Sequence, residues 1–298
     1  MNDILGVINI YKEKGFTSHD VVNVVRKTLN RVKTGHTGTL DPDACGVLPI
    51  CIGKATKIAE YIASDIKEYK AELLLGVSTT TQDTSGDVLK KSPVTSDIET
   101  IKETILSFIG DYYQTPPMYS AIKINGKKMY ELAREGKEVE RKKRHIKIFD
   151  ITINEVISND RIAFTVLCSK GTYIRTLCND IGEKLGCGGC MASLLRTRSG
   201  QFFIKDSIKL DDFKQAVADG KLDSLLNPIE KVMPDYPHIT VSEAGNKYLY
   251  NGNKISINYL NEKDISENEK ALIYDFQGNL IGIYQSYGDY IKPLTMLI

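Results

Sequence analysis

The residues best placed to do chemistry fall in one short stretch, Gly35–Pro49, which reads GHTGTLDPDACGVLP. Gly35, Gly38, Gly46, Pro42 and Pro49 forbid a long helix there, because glycine adds backbone freedom and proline lacks an N–H. His36, Thr37, Thr39, Asp41 and Asp43 crowd the same few positions, and short polar side chains bond to nearby backbone and hold a definite loop. A carboxylate in such a loop can act as nucleophile or general base. Asp41, fixed between Leu40 and Pro42, is the better candidate of the two aspartates. Three familiar sites are excluded. Gly53-Lys54 has Leu48 where a phosphate-binding loop needs glycine, and neither G-x-G-x-x-G nor G-x-S-x-G occurs here. Most loop aspartates are turn formers, so composition nominates Asp41 without fixing its role.

Other reactive residue types are scattered. Arg175 falls in the first turn of a predicted helix, where the dipole disfavours a cation by roughly 0.3–1 kcal/mol. Such an arginine is either held by an acid from elsewhere or exposed without a partner. Tyr69, Tyr119 and Tyr173 stand near segment junctions. They read as half-buried packing or, in an RNA protein, as stacking platforms for an unpaired base. Cys187-Gly-Gly-Cys190 has the spacing of half a zinc site or a redox pair. It has no second half, and His19, His36, His145 and His238 are the only histidines. Two small residues in a tight turn are the simpler reading, with no metal expected.

These residues need a scaffold. The apolar run Val47–Ile52 supplies one directly after the loop. A strand is predicted at Gly6–Ile10 and a helix from Ser18, as N-cap, to Leu29. Tyr69–Leu75 reads as a strand and Ser78–Gly86 as a polar loop. Asp97 starts a helix with Ile98, Ile101, Ile105 and Ile109 inward and Gly110 as its cap. Thr115–Pro117 must be extended, and a short helix is expected at Met129–Glu135. Strands at Ile146–Ile153 and Ala163–Cys168 precede a helix from Tyr173 to Leu185, stopped by Gly186. Ser193–Ile204 reads as another strand. Leu210–Val217 and Leu222–Leu225 read as short helices before a linker at Pro228–Pro237. The tail alternates like a small β domain, with Asp275–Asn279 as a hairpin loop.

At 298 residues, 42% hydrophobic and 26% charged, the chain has room for one large domain and one small one. No apolar run is long enough to span a bilayer and no leader pattern opens the chain, so a cytoplasmic location is expected. The six cysteines are dispersed and expected to be reduced. Net charge is +1, but its distribution is uneven. From Lys123 to Lys147 ten Lys/Arg face four Glu, an excess of six. From Tyr236 to Ile298 five lysines face seven acids, a deficit of two. An uncompensated excess of that size calls for phosphate as its counter-charge. The stretch 123–147, which includes Arg141, Lys142, Lys143 and Arg144, is expected to project as a mobile insertion.

Three segments resemble the TruB family of bacterial tRNA pseudouridine-55 synthases. They are Gly35–Ala55 (GHTGTLDPDACGVLPICIGKA), Pro116–Val139 (PPMYSAIKINGKKMYELAREGKEV) and Cys168–Gly188 (CSKGTYIRTLCNDIGEKLGCG). The resemblance implies a mixed α/β fold. A largely antiparallel catalytic domain would span residues 1–230, and a small β-rich PUA-like domain residues 236–298. It implies isomerisation of a T-loop uridine in tRNA, without metal or cofactor, by a monomer that grips the T-loop and T-stem. Asp41 in GTLDP then matches the essential aspartate. Tyr69 matches the residue that stacks on the flipped base, and Tyr173 and Arg175 match the rest of the catalytic group. Leu195 matches an apolar pocket residue, and His36 a histidine that fills the space the base leaves. Arg141, Lys142, Lys143 and Arg144 would bind RNA. Two rival readings share this scaffold, a non-catalytic tRNA-binding or RNA-folding protein and a synthase for another RNA. Two features depart from the family pattern. Asp43 stands where many relatives have an apolar residue, and the tail is acidic.

Overall fold

A strand buried on both faces needs apolar residues at successive positions, not alternate ones. The run that follows the Asp41 loop is of this kind. It forms β3 (Cys45–Gly53), in which every residue from 46 to 52 is buried. The computed structural model describes residues 4–63, 66–120, 122–124, 126–137, 139–262 and 264–298, with the backbone alone at Lys123, Ile124, Lys128 and Arg134.

In chain order, β1 (Leu5–Lys12), α1 (Ser18–Thr28) and β2 (Thr34–His36) precede β3. A 3-10 turn (Lys54–Ile58), α2 (Ala59–Ile62) and β4 (Ile66–Leu75) follow. β5 (Val77–Thr79) and β6 (Val88–Lys91) form a ribbon before α3 (Ile98–Leu106) and β7 (Gly110–Gln114). β8 (Lys123–Ile124), β9 (Lys127–Lys128) and α4 (Met129–Arg134) lead to β10 (Arg144–Ser158) and β11 (Arg161–Ser169). Next come α5 (Ile174–Lys184), β12 (Gly189–Ser199), β13 (Phe202–Phe203), α6 (Leu210–Ala218) and α7 (Ile229–Val232). The tail adds β14 (His238–Thr240), α8 (Asn246–Leu249), β15 (Ile255–Ser256), β16 (Lys270–Tyr274), β17 (Leu280–Ser286) and β18 (Tyr290–Met296).

The large sheet runs β1-β3-β12-β4-β11-β10-β7, with β2 on β3 and β13 on β12. Its pairs are antiparallel except β3 with β12. The tail forms a second sheet, β14-β16-β17-β18-β15. The fold is therefore mixed α/β with a β-rich C-terminal part. Successive residues of β1 and β3 point to opposite cores, as the pleat requires. Ile8, Ile10, Leu48, Ile50 and Ile52 pack with α1 and α6, around Val21, Val25 and Phe213. Val7, Val47 and Cys51 pack the other way, against Ile229, Val232 and the second sheet's Leu272 and Ile283. Farther along, Tyr69, Leu73, Phe164 and Val166 pack against Ile101 and Ile105 of α3 and Leu177 and Ile181 of α5.

Several boundaries differ from the sequence reading. Thr17, not Ser18, caps α1, because Thr17 and Asp20 close a capping box and leave Ser18 free for other bonds. α3 ends at Leu106, so Gly110 starts a strand instead of capping the helix, and Ile109 is exposed. Arg144 to Lys147 belong to β10, paired with β7, so the last four residues of the basic stretch are part of the sheet and not of an insertion. Positions 125 and 138 of that stretch lie outside the described residues. β18 and the short β2 carry no alternation long enough to have been read.

At Gly46 the β3 backbone meets β12 closely: φ is +108°, and a Cβ there would lie 2.2 Å from the Arg196 carbonyl oxygen. Gly46→Ala should therefore lose roughly 1–3 kcal/mol from backbone strain alone, with the clash adding to it. Urea denaturation reads this directly, and a midpoint equal to the parent's would refute the close approach.

Candidate active site

The loop between β2 and β3 is pinned on both sides of Asp41. Before it, Ser18 Oγ donates to the Leu40 carbonyl at 3.1 Å and accepts from the Leu40 N–H at 2.8 Å. After it, Lys12 Nζ donates to the Pro42 carbonyl at 3.1 Å, and to those of Phe16 and Glu13 at 2.6 and 3.1 Å. Farther out, Arg196 donates from Nε to Val47 O at 2.7 Å and from Nη1 and Nη2 to Thr39 O and Gly38 O at 3.3 and 3.4 Å. Lys12 and Arg196 are fully buried. Buried cations are costly unless hydrogen-bonded, and here backbone carbonyls supply the bonds. Burial still lowers the Lys12 ammonium to about 8, while Cys45, Asp41 and Asp43 pull it up.

The side chain of Asp41 meets Arg175, whose Nε lies 3.0 Å from Asp41 Oδ2. The guanidinium has further partners: Tyr119 O at 2.8 Å from Nη2, Thr81 O at 3.2 Å from Nη1, and Asp83 Oδ2 at 3.6 Å from Nη1. The arginine side chain is 6% exposed and that of Asp41 40%. The awkward place of Arg175 in the first turn of α5 is thus offset by two carboxylates and two carbonyls. No hydrogen-bond partner of Asp41 Oδ1 is found among the described residues, so the carboxylate is held on one edge and open on the other. Burial raises its pKa above the ordinary carboxylate value, Arg175 opposes the shift, and Asp83 adds to it.

Tyr173 stands at the N-cap of α5. Gln114, itself buried, grips its backbone on both sides: Oε1 accepts from Tyr173 N at 2.7 Å and Nε2 donates to Tyr173 O at 2.9 Å. Burial pushes the Tyr173 phenol up, and Ser120, Arg144 and Arg175 pull it down. Tyr69 is opposite Arg196 across the β4–β12 pair and is 9% exposed. Its phenol is raised by burial, against the charge of Arg196. His36 lies in β2, half-buried, with Nδ1 buried and without a partner among the described residues. Burial, Arg196 and His19 lower its pKa, which favours the neutral imidazole.

Leu195 is not brought to this face. It is opposite Lys70 on the outer pleat, whereas Leu194, opposite Ala71, packs against the cluster that holds Leu40, Ala44 and Tyr69. A one-residue change of position reverses the face, and the register could not be read from one strand alone. Arg141 donates from Nη1 to the Pro116 carbonyl at 3.1 Å, and Lys142, Lys143 and Arg144 are exposed. Sequence reasoning missed Lys12, Ser18, Asp83, Gln114, Leu194 and Arg196, because their roles depend on partners 22 or more positions away. Cys187 and Cys190 are both reduced and buried, and the Cys187 thiol donates to the Gly182 and Gly188 carbonyls. Among the described residues no group of three or more His, Cys, Asp or Glu is arranged to hold a metal ion, and no helix is long and apolar enough to cross a membrane.

The raised pKa of Asp41 carries a signed consequence for stability. Ionising this carboxyl costs more in the fold than in the unfolded chain. Its contribution to stability is full below the unfolded pKa and lost as pH rises through the folded one. Asp41→Asn removes that loss, so the variant should gain in melting temperature on the parent as pH is raised from about 4 toward 7. A gap that shrinks over the same range, in paired thermal scans, would contradict the assignment.

Residues 26–174 match the sequence model described as TruB family pseudouridylate synthase (N terminal domain). Residues 175–233 match that of the tRNA pseudouridylate synthase B C-terminal domain. The tRNA pseudouridine synthase B of Alkaliphilus oremlandii is 52% identical over 255 residues, 86% of this chain and 84% of that one. The protein of the same name from Clostridium acetobutylicum is 46% identical over 292 residues, 98% and 99% of the two chains. Among solved structures, a chain of a Cbf5-Nop10-Gar1 complex superposes with a TM-score of 0.75 at 27% identity, covering 98% of this chain and 85% of that one. The pinned aspartate loop, its buried arginine and the sheet that carries them thus lie within matches that span nearly the whole sequence, and the chain belongs to the TruB family of pseudouridylate synthases.

Proposed function

We infer that the chain isomerises uridine to pseudouridine in tRNA, at position 55 of the T-loop. The observation that carries this is the Asp41 carboxylate, held through one oxygen by buried Arg175 at 3.0 Å and open at its other edge. In the reaction the N1–C1′ bond breaks and a C5–C1′ bond forms. The reacting base must first leave its loop, at a cost of roughly a few kcal/mol. Tyr69 offers a stacking face for the extruded base, Leu194 an apolar wall beside it, and neutral His36 a body to fill the gap. Asp41 supplies the charge or the nucleophile. Arg175 keeps it ionised against burial and fixes its direction. Tyr173, held at its backbone by Gln114, is the group proposed to take the C5 proton. Burial keeps its phenol protonated, and the proton balance closes on the base itself: C5 gives up one proton after it joins C1′, and N1, freed from C1′, takes one up. Residues 1–230 would carry the chemistry and residues 236–298 an RNA-binding accessory.

The test is incubation of the chain with an unmodified tRNA transcript, followed by mapping of pseudouridine. One pseudouridine at position 55 supports the reading; its absence leaves a binding protein on the same scaffold. Asp41→Asn should abolish isomerisation while tRNA binding persists, since the isostere removes only charge and nucleophilicity. Arg175→Met should cut the rate severely, because it removes the charge and the bond that keep Asp41 ionised and aimed, and leaves the Thr81 and Tyr119 carbonyls without their donor. Near-parental turnover by either variant would sink the assignment.

The basic residues that lead into and open β10 support a second expectation. Arg141, Lys142, Lys143 and Arg144 form no ion pair among the described residues, and Arg144 lies close enough to Tyr173 to lower its phenol. We propose that they bind tRNA phosphates, Arg144 from the edge of the sheet and the other three as the stretch before it closes over the substrate. Replacing all four with neutral residues should weaken tRNA binding and flatten its dependence on salt, by a slope of about 0.9 for each duplex phosphate no longer neutralised. An unchanged slope over a range of salt concentrations would remove them from the interface.

A further inference from the structure

α5 carries two residues of the site at its very start, Tyr173 at the N-cap and Arg175 in the first turn. Their directions depend on how that end of the helix is set. The body of α5 is held by apolar packing, with Leu177 and Ile181 in the same core as Phe164 and Val166. Apolar packing has no direction of its own, so it fixes depth better than it fixes rotation or slide along the axis. Directional bonds must fix the rest. The Tyr173 side chain makes no capping bond.

Those bonds come from one short strand. In β7, the Tyr112 hydroxyl donates to Asp180 Oδ2, and the Gln114 amide holds both polar backbone groups of Tyr173. Residues 112 and 114 share a face of the strand, because side chains alternate. Residues 173 and 180 are about two turns of helix apart and share a face of α5. β7 therefore ties α5 at two levels on one side. The two ties differ in kind. Tyr112 reaches a side chain, whereas Gln114 takes the N–H and the C=O of a single residue, as a neighbouring strand would. The two bonds fix the peptide planes on either side of the Tyr173 Cα, and with them the direction of the bond that carries its phenol. Gln114 is 1% exposed, so water is no ready substitute for either bond.

Gln114 has a second place in the fold. It is the last residue of β7 and lies opposite Arg144, the first of β10. The chain leaves the large sheet after Gln114 and returns to it at Arg144, with residues 115–143 between. The residue that grips Tyr173 is thus also an anchor of the stretch that leads to Arg141, Lys142 and Lys143.

We propose that Gln114 is a positioning residue of the isomerisation, which aims Tyr173 through its backbone and keeps it with the sheet when the neighbouring stretch closes. The proposal rests on Tyr173 acting at C5 of the base. The test is a double-mutant cycle in the full chain: Gln114→Met, Tyr173→Phe and the two combined. Single-turnover rates on a saturating unmodified tRNA transcript are compared with tRNA affinities and melting temperatures. Gln114→Met keeps the length of the side chain and removes both bonds. It should slow the reaction roughly 10- to 100-fold, the cost of a small misplacement, with tRNA affinity within about twofold of the parent's. In the Tyr173→Phe background the same change should cost less than about threefold, because the phenol it aims is gone. Gln114→Glu keeps the acceptor for the Tyr173 N–H and puts the favoured sign of charge at the N-terminus of α5. It should fall between the parent and Gln114→Met, and it runs the same cycle should the methionine variant not fold. Equal slowing in the two backgrounds would overturn the proposal, since a glutamine that only fills the core acts on both alike. So would a rate loss matched by an equal loss of tRNA affinity. The two readings fail separately. A slow Tyr173→Phe beside a parental Gln114→Met sinks the proposal alone, whereas a parental Tyr173→Phe, or a parent that forms no pseudouridine, sinks the reading beneath it and the proposal with it.

Discussion

The structure depends on keeping one carboxylate charged in a place that disfavours charge. Asp41 sits in a loop between buried Leu40 and Ala44 and against the buried side chain of Arg175, and burial raises its pKa. Arg175 opposes that shift from 3.0 Å. An arginine can do so only if it is itself satisfied, since a buried guanidinium with open donors costs more than the pair returns. Here Tyr119 O, Thr81 O and Asp83 complete its shell. Asp83 is fixed in turn: its Oδ1 accepts from Thr81 Oγ1 at 2.6 Å and from the Ser85 N–H at 3.0 Å. The polar loop after β5 is therefore part of the site, because it shapes the arginine that holds the aspartate.

The same constraint explains the odd placement of Lys12 and Arg196. Both are buried cations bonded mainly to backbone carbonyls. Carbonyls of an irregular loop have no ladder partner and must be satisfied by something. A cation does this and also biases the local field toward a negative neighbour. Lys12 Nζ on Pro42 O and Ser18 Oγ on Leu40 tie down the residues on either side of Asp41, from β1 and α1 respectively. The loop is thus clamped by elements that fold against a common core, which gives a Gly- and Pro-rich segment the rigidity of the sheet beneath it.

How much of this was legible in the sequence follows from the range of each interaction. The elements themselves could be read, because apolar periodicity is local: Val47–Ile52, Tyr69–Leu75 and the helix from Ile174 to Lys184 lie close to where pattern places them. Asp41 and Arg175 could be nominated, one by its loop and the other by its unfavourable turn, but their contact joins residues far apart in the chain. The clamps could not be found. Ser18 looked like a helix cap because Ser is a good one, and the local competition with Thr17 was settled by Asp20 three positions on. The resemblance points to Leu195, but the pleat that puts Leu194 on the core face is set by pairing with β4, which lies far away in the sequence. Gln114 gave no signal, since its partner is the backbone of Tyr173.

The single-edged contact between Arg175 and Asp41 bears on what kind of group the aspartate is. A carboxylate gripped bidentately on both oxygens is stable and geometrically fixed, but its lone pairs are committed. In this pair only Nε reaches Oδ2, while the two terminal nitrogens are turned to Thr81, Asp83 and Tyr119. The guanidinium therefore acts on Asp41 chiefly through its charge and one bond. It leaves Oδ1 without a protein partner among the described residues. Replacing the two carbonyl acceptors would free the fork to rotate and grip both oxygens. By holding Arg175 off that geometry, the backbone of the Thr81 and Tyr119 loops keeps the carboxylate ionised, aimed and still available.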